Sequence, residues 1–422
     1  MASIKVLIAD DSAFLRKSIS NILTEDKTIE IVDMAINGRE AIEKVNKHHP
    51  DVLILDLLMP EMDGLEAFKH IMEDYPIPTI ILSAVNPQNM DTSVQALLMG
   101  AFDYIIKPGG IGAKDLPRFR EELRSKVFLA SQSQIKRVYS KKNGINKSKT
   151  LRQQLVDDTF QFGVYLRDLK PIKEEDYLPK EKELLGTKIK KKKITEEKPT
   201  PKPQEELIQS SQEKVIPKEP IKIPAIIPVK GVKITSPVIV IGASVGGPRT
   251  LRTILKDIPK NISYPILIVQ HLSEFFLESF VKSLDAACKI KVKMGQDGEY
   301  ISPGIAYIAP GGYHMEIQVR SDYPSIKIFK GEPVNYCIPS VDVLFFSAAK
   351  IYGANVVGVL LTGMGKDGVA GLGAIKNNRG KTIAESEETC VLYGMPKFAK
   401  EKGVAGMILP DYKIGEYLRN YS

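Results

Sequence analysis

Cysteine and histidine are scarce in this chain, and long apolar runs are missing. The three cysteines, Cys288, Cys337 and Cys390, are an odd number with no Cys-x-x-Cys pair. That excludes a disulfide framework or a cysteine-built zinc site and fits a reducing, cytoplasmic setting. No stretch reaches the roughly 18 consecutive apolar residues of a membrane helix, so no membrane insertion is expected. The opening residues, Met1-Ala-Ser-Ile-Lys-Val-Leu-Ile-Ala-Asp10, carry no charged n-region, long h-region or small-residue cleavage site. They read as a buried strand, and a cytoplasmic location is expected. With only five histidines, any imidazole chemistry has few candidates.

What is present is a soluble composition, 43% hydrophobic and 26% charged, over 422 residues, enough for two domains and a connector. The net charge of +8 is not spread evenly. Between 131 and 235, Lys and Arg outnumber Asp and Glu by 24 to 14, while the rest of the chain is close to neutral. The basic character therefore belongs to the connector, and nucleic acid is not an expected partner of the folded parts. The tract Lys190-Lys191-Lys192-Lys193 reads as a solvated charge run.

Residues 1–128 alternate strand and helix patterns five times, with apolar runs at Ile4–Ala9, Ile29–Ala35, Val52–Leu55, Thr79–Leu82 and Tyr104–Ile106. This predicts an α/β domain: a flavodoxin-like, five-stranded parallel sheet of order 2-1-3-4-5, covered on both faces. Residues 129–235, rich in Lys, Glu and Pro, read as a flexible linker, with a short docking helix left open at 151–178. Residues 236–422 predict a second α/β domain with a mostly parallel sheet. Its strands are Pro237–Gly242, Ile266–Val269 and Val356–Leu361, with weaker ones at Lys381–Ala384 and Ala405–Leu409. Shorter strands, a hairpin insertion among them, fill Ile290–Phe329.

In the first domain Asp10 and Asp11 follow the first strand, and Asp56, Ser83 and Lys107 end the third, fourth and fifth. Parallel strand ends of one polarity meet at one edge. Three carboxylates gathered there call for a hard divalent cation, and Mg²⁺ suits them, with Lys107 and Ser83 placed to hold phosphoryl oxygens. These residues resemble response-regulator receiver domains over residues 3–125, through Asp56-Leu-Leu-Met-Pro-Glu-Met-Asp-Gly64 and Phe102-Asp-Tyr-Ile-Ile-Lys-Pro108. The resemblance implies phosphorylation of Asp56, Mg²⁺ on Asp10, Asp11, Asp56 and the Leu58 carbonyl, and Tyr104 as an aromatic switch residue.

In the second domain Gly242-Ala-Ser244-Val-Gly246-Gly247 stands between a strand and a helix opening at Pro248. That is a G-x-S-x-G turn able to expose a nucleophilic hydroxyl. A phosphate-cradling loop and a plain capped turn are the rival readings, although no Gly-Lys-Ser/Thr follows. His48, His49 and His70 belong to the first domain and His314 to a predicted strand. His271 and Asp367 each follow a parallel strand at the edge where Ser244 emerges, as acyl transfer requires.

This half is similar to the chemotaxis protein-glutamate methylesterase/glutaminase (CheB) family over about 237–410. The likeness rests on Gln270-His271-Leu272, Pro339-Ser-Val-Asp-Val-Leu-Phe345, Leu361-Thr-Gly-Met-Gly-Lys-Asp-Gly368 and Val391-Leu-Tyr-Gly-Met-Pro396. It implies Ser244 as nucleophile, His271 as base, Asp367 as orienting acid and Met364 as a backbone contributor near the oxyanion. It also implies no cofactor in the hydrolase site, methyl-accepting chemoreceptors as substrate, and a chemotaxis histidine kinase as phosphodonor. Two departures stand out: Val245 where the family has Thr, and Cys337-Ile338 where it has His-Arg. A non-catalytic, phospho-regulated adaptor is the alternative these departures leave open.

Overall fold

Runs of Val, Ile and Leu buried on both faces form strands that only flanking helices can shield, and the chain builds two such parallel sheets. The computed structural model describes residues 3–84, 87–108, 116–133, 135, 226, 229 and 231–421. The expected linker lies almost wholly outside the described residues, and the open docking helix at 151–178 entirely so.

The first sheet has the order β2-β1-β3-β4-β5, as predicted. Its strands are β1 (Ile4–Ala9), β2 (Ile29–Ala35), β3 (Val52–Asp56), β4 (Thr79–Ser83) and β5 (Asp103–Ile106), all parallel. Helices α1 (Ala13–Thr24), α2 (Gly38–His48), α3 (Gly64–Asp74), α4 (Pro87–Met99) and α5 (Leu116–Ser131) connect and cover them. Three helices start where a polar side chain satisfies a first-turn amide: Ser12 accepts from Leu15 N, Asn37 from Glu40 N and Asp63 from Glu66 N. Val52–Leu55 of β3 are fully buried. At roughly 1.5–3 kcal/mol per buried aliphatic side chain, they anchor the Asp56 that ends the strand.

The second sheet is parallel throughout, with seven strands in the order β14-β13-β12-β6-β7-β9-β8. The strands are β6 (Val238–Ala243), β7 (Ile266–Gln270), β8 (Lys291–Met294), β9 (Ile305–Ile308), β12 (Val356–Leu360), β13 (Lys381–Glu385) and β14 (Met407–Leu409). Its helices are α6 (Gly247–Leu255), α7 (Glu274–Ala287), α8 (Val341–Tyr352), α9 (Val369–Asn377), α10 (Met395–Glu401) and α11 (Asp411–Arg419). β10 (His314–Arg320) and β11 (Tyr323–Phe329) form a separate antiparallel hairpin.

The reading of Ile290–Phe329 therefore divides. Its second half is the hairpin, but β8 and β9 extend the main sheet. The helices α10 and α11 were not predicted, being short and Lys/Glu-rich. Val232 and Ile234 pack against the second core, so ordered chain begins several residues before 236. At the other boundary, α5 runs to Ser131.

Candidate active site and phosphoacceptor site

Three strand ends converge in the second sheet. Gly242 pairs with Leu360 and Ala243 with Gln270, so β6, β7 and β12 finish nearly flush. The chain leaves β6 to one side for β7 and later returns to its other side as β12. Such a reversal opens a crevice at the carboxyl ends of the strands.

Ser244 is the first residue beyond β6, half-buried, its N–H donating to Thr362 O at 3.0 Å. The turn closes through Gly247 N to Ser244 O at 2.8 Å. Gly246, at φ 77°, adopts the left-handed backbone that lets α6 start directly under the serine. Across the turn Gly363 is required by closeness, because a Cβ there would stand 2.5 Å from Ser244 Cβ. His271 follows β7 and donates its N–H to Ala243 O at 3.0 Å. Gln270 Nε2 donates to the carbonyls of both Ser244 and His271, at 2.9 and 3.0 Å, and fixes the two residues side by side.

Asp367 is buried. Its Oδ2 accepts from His271 Nε2 at 3.0 Å and from Val341 N at 2.7 Å. Its Oδ1 accepts from Ser340 Oγ at 2.7 Å, Asn335 Nδ2 at 3.1 Å and Asp342 N at 3.2 Å. Burial alone would raise this carboxyl, but the His271 bond, the histidine's charge and these donors hold it below its ordinary value. Two of the donors are first-turn amides of α8, where the helix dipole favours an anion.

For His271, burial pulls the imidazole down, yet its bonds to Asp367 and Cys337 prevail and raise it to about 9. Because the carboxylate takes Nε2, the other nitrogen, Nδ1, is the one available to act as base. Cys337 Sγ lies 3.7 Å from it. Met364 sits in the loop after β12, 52% exposed, immediately beyond Gly363.

The predicted residues Ser244, His271 and Asp367 thus share one edge, and Met364 lies in the adjoining loop. Asn335, Ser340, Asp342 and the thiol of Cys337 were not singled out as parts of this cluster. Only the motif Pro339-Ser-Val-Asp342 hinted at them, since a serine and an aspartate at a helix start are ordinary caps. Asp342 is raised to about 7 by burial and by the neighbouring Asp367, and Asn335 Nδ2 bridges to it at 2.8 Å. His314 is buried between Glu332 O and Ser340 N, a structural position. His271, Cys337 and Asp367 also offer ligand atoms within 4.8 Å of one another. Thiol and carboxylate address different ring nitrogens, so a cation taken there would compete with the imidazole's role as base.

In the first sheet Asp10, Asp11 and Asp56 gather with ligand atoms within 4.8 Å. Lys107 Nζ spans two of them, 2.6 Å from Asp56 and 2.9 Å from Asp10. One ammonium against three carboxylates leaves a net negative, oxygen-rich cluster, which fits a hard divalent cation. Burial, with Asp10 adding to it, lifts Asp56 above its ordinary value despite Lys107. Leu58 N donates to Asp56 Oδ1 at 3.2 Å. Ser83 Oγ accepts from Ser93 Oγ at 2.8 Å and donates to Ala84 O at 3.3 Å.

Tyr104 faces the second sheet's helices. Its ring centroid is 4.2 Å from that of Phe276 in α7, and its hydroxyl accepts from Ser273 N at 3.1 Å. Ser279 of α7 donates to Asp91 of α4. Val245, Leu272 and Val391 pack into the first domain's apolar cluster. A cavity of about 160 Å³ remains between them, lined by Leu97, Tyr104 and Lys126 on one side and Ser244, His271 and Leu272 on the other. Val245 therefore supplies apolar surface to this contact.

Comparison with known proteins finds two family matches and several relatives along the chain. The family described as CheB methylesterase matches residues 239–418, and the response regulator receiver domain matches residues 6–115. A relative from Archaeoglobus fulgidus named protein-glutamate methylesterase/protein-glutamine glutaminase is 35% identical over 98% of this chain and 96% of its own. One from Methanococcus maripaludis, with the same name, is 36% identical over 98% and 96% respectively. The crystal structure of the Thermotoga maritima CheB methylesterase catalytic domain shares 41% identity, covering 45% of this chain and 100% of that one, with a TM-score of 0.44. No described helix is long and apolar enough to cross a membrane. With relatives this similar along nearly its whole length, the chain belongs to the CheB methylesterase family, a methylesterase domain preceded by a response regulator receiver domain.

Proposed function

We propose that this chain hydrolyses glutamate 5-O-methyl esters on the cytoplasmic helices of methyl-accepting chemoreceptors, releasing methanol, and deamidates receptor glutamines at the same site. The observation that carries the reading is the Ser244, His271 and Asp367 cluster at one sheet edge, with His271 bonded to Asp367 at 3.0 Å. Ser244 Oγ attacks the ester carbonyl while His271 Nδ1 takes its proton. Asp367 keeps Nε2 as the N–H nitrogen and stabilises the imidazolium that forms. The backbone N–H of Met364 faces the developing oxyanion. Methanol leaves with the proton from His271, and a water activated by the same nitrogen clears the acyl-enzyme. Positioned proton transfer contributes about 10²–10⁴-fold and each oxyanion donor about 10²–10³-fold.

Control resides in the receiver. Asp56 accepts the phosphoryl group from a chemotaxis histidine kinase. Asp10, Asp11, Asp56 and the Leu58 carbonyl would hold Mg²⁺, which supplies charge neutralisation there. Lys107 and Ser83 hold phosphoryl oxygens once Lys107 is drawn off the carboxylates. The Tyr104 contact with Ser273 and Phe276 keeps the receiver over Ser244 until that rearrangement loosens it. The test is methanol release from methylated receptor membranes, with and without a small phosphodonor. Release that needs Ser244 and rises with phosphodonor supports both sites. No release above the Ser244→Ala control, with a cognate receptor present, rejects the enzyme.

A further inference from the structure

Cys337 has no part in the mechanism above, yet it faces the nitrogen on which that mechanism depends. Its Sγ lies 3.7 Å from His271 Nδ1, and Asp367 holds the opposite nitrogen of the same ring at 3.0 Å. Cysteine, imidazole and carboxylate stand in that order, with the base beside the sulfur, a third group orienting the base, and the sulfur also donating to Asn335 O at 3.4 Å.

The thiol is held in place deliberately. Val334 and Cys337 exchange backbone hydrogen bonds at 3.1 and 3.0 Å across a tight turn. The two turn residues, Asn335 and Tyr336, take φ of 51° and 63°, a left-handed conformation costly for residues with side chains. Asn335 is tied to Asp367, so the carboxylate that orients the imidazole also anchors the turn presenting the sulfur. Among the described residues the other two thiols have no imidazole partner. Burial raises Cys288 to about 12 and Cys390 well above its ordinary value. A thiol at about 12 is ionised in only on the order of one molecule in 10⁵ at neutral pH.

We propose that Cys337 is a covalent modification site for small-molecule disulfides, and that the mixed disulfide formed there blocks the base of the esterase. The second clause rests on the function proposed above, and the first does not. In the step, the Cys337 proton passes to His271 Nδ1 and the sulfur attacks one sulfur of the disulfide. A new Sγ–S bond forms, the old S–S bond breaks, and the departing thiolate takes the proton from His271. One disulfide is consumed and one thiol released. The added group occupies the space at Nδ1 where the Ser244 proton must go.

The experiment treats the full-length chain with oxidised glutathione or an aromatic disulfide, reading adducts by peptide mass spectrometry and hydrolysis in parallel. One adduct is expected, on Cys337, forming at least tenfold faster than on Cys288 or Cys390. His271→Gln should slow it about tenfold while Cys288 and Cys390 stay unlabelled, which shows the variant is folded. Dithiothreitol should restore lost hydrolysis, and Cys337→Ala should make hydrolysis indifferent to disulfide. Cys337 reacting no faster than Cys288, or equally fast in a folded His271→Gln chain, overturns the modification site. Full labelling with hydrolysis unchanged overturns the block. Because labelling is read on the protein itself, it decides the first clause even for a chain that releases no methanol.

Discussion

The clearest quantitative consequence of the site is an alkaline rise in activity. His271 is raised to about 9 because its bonds to Asp367 and Cys337 outweigh burial. At pH 7 only about one molecule in a hundred then carries the neutral imidazole that can take the Ser244 proton. The value of kcat/KM should therefore climb close to tenfold per pH unit from pH 7 and level near pH 9. Lifting the receiver would not lower that break, since burial is the influence that pulls an imidazole down. Removing the sulfur would: Cys337→Ala deletes two of the raising influences, moving the break toward neutrality and increasing kcat/KM at pH 7. The assay is methanol release across pH 6–10, with the Ser244→Ala rate subtracted to remove spontaneous ester hydrolysis. A flat profile between pH 7 and 9, or a break that Cys337→Ala leaves in place, would refute the reasoning. The same shift bears on stability. A base raised in the folded state stabilises the fold below the ordinary imidazole value near 6.5, and that contribution is lost as pH rises through about 9.

Other perturbations test the remaining parts. Tyr104→Ala removes an aromatic contact, about 0.5–1.5 kcal/mol, and a hydrogen bond of about 1 kcal/mol, so methanol release without phosphodonor should rise by roughly ten- to seventyfold. An unchanged basal rate would count against Tyr104 as a latch. Asp56→Asn should keep basal hydrolysis but lose all stimulation by phosphodonor, and chelating Mg²⁺ should do the same to the unaltered chain. Persistent stimulation in either case would move the acceptor elsewhere. Arg249 in α6 is bonded to Asp411 at 2.9 Å inside the second domain, and its charge also acts on buried Glu385. Arg249→Met strands those carboxylates at a cost of about 3–5 kcal/mol, and calorimetry should show that domain melting roughly 6–20 °C lower. Gly363→Ala puts a methyl group 2.5 Å from Ser244 Cβ, so hydrolysis should collapse while phosphorylation of Asp56 proceeds normally. Hydrolysis that survives this change would mean Ser244 is not held where it is described.

Much was legible in the sequence because the determining forces are local. Short Val/Ile/Leu runs bounded by turn residues read as buried strands, and strand, turn and helix repeats leave few topologies. The receiver's order 2-1-3-4-5 followed directly. Ser244, His271 and Asp367 were found because each directly follows a strand, and strand polarity alone sends them to one edge. The helices α10 and α11 were missed because neither has a strong apolar period of its own. Their buried residues, such as Met395, Ala399, Ile414 and Leu418, count only once the sheet is there to receive them. The strands β8 and β9 are short, and only their parallel pairing, β9 on β7 and β8 on β9, distinguishes them from a hairpin.

The sequence by itself therefore determined the two sheets, the acidic phosphoacceptor edge and the candidates for nucleophile, base and orienting acid. Those follow from hydrophobic period and from which residues stand just past a strand. Only the tertiary structure decided that Asp367 takes Nε2 of His271 and that Cys337, thirty residues before that aspartate, meets Nδ1. It also decided that Tyr104 is tucked against Ser273 and Phe276 from another domain. Those contacts join residues far apart in the chain. Their geometry depends on how loops and helices pack, a long-range energy to which no local pattern is sensitive.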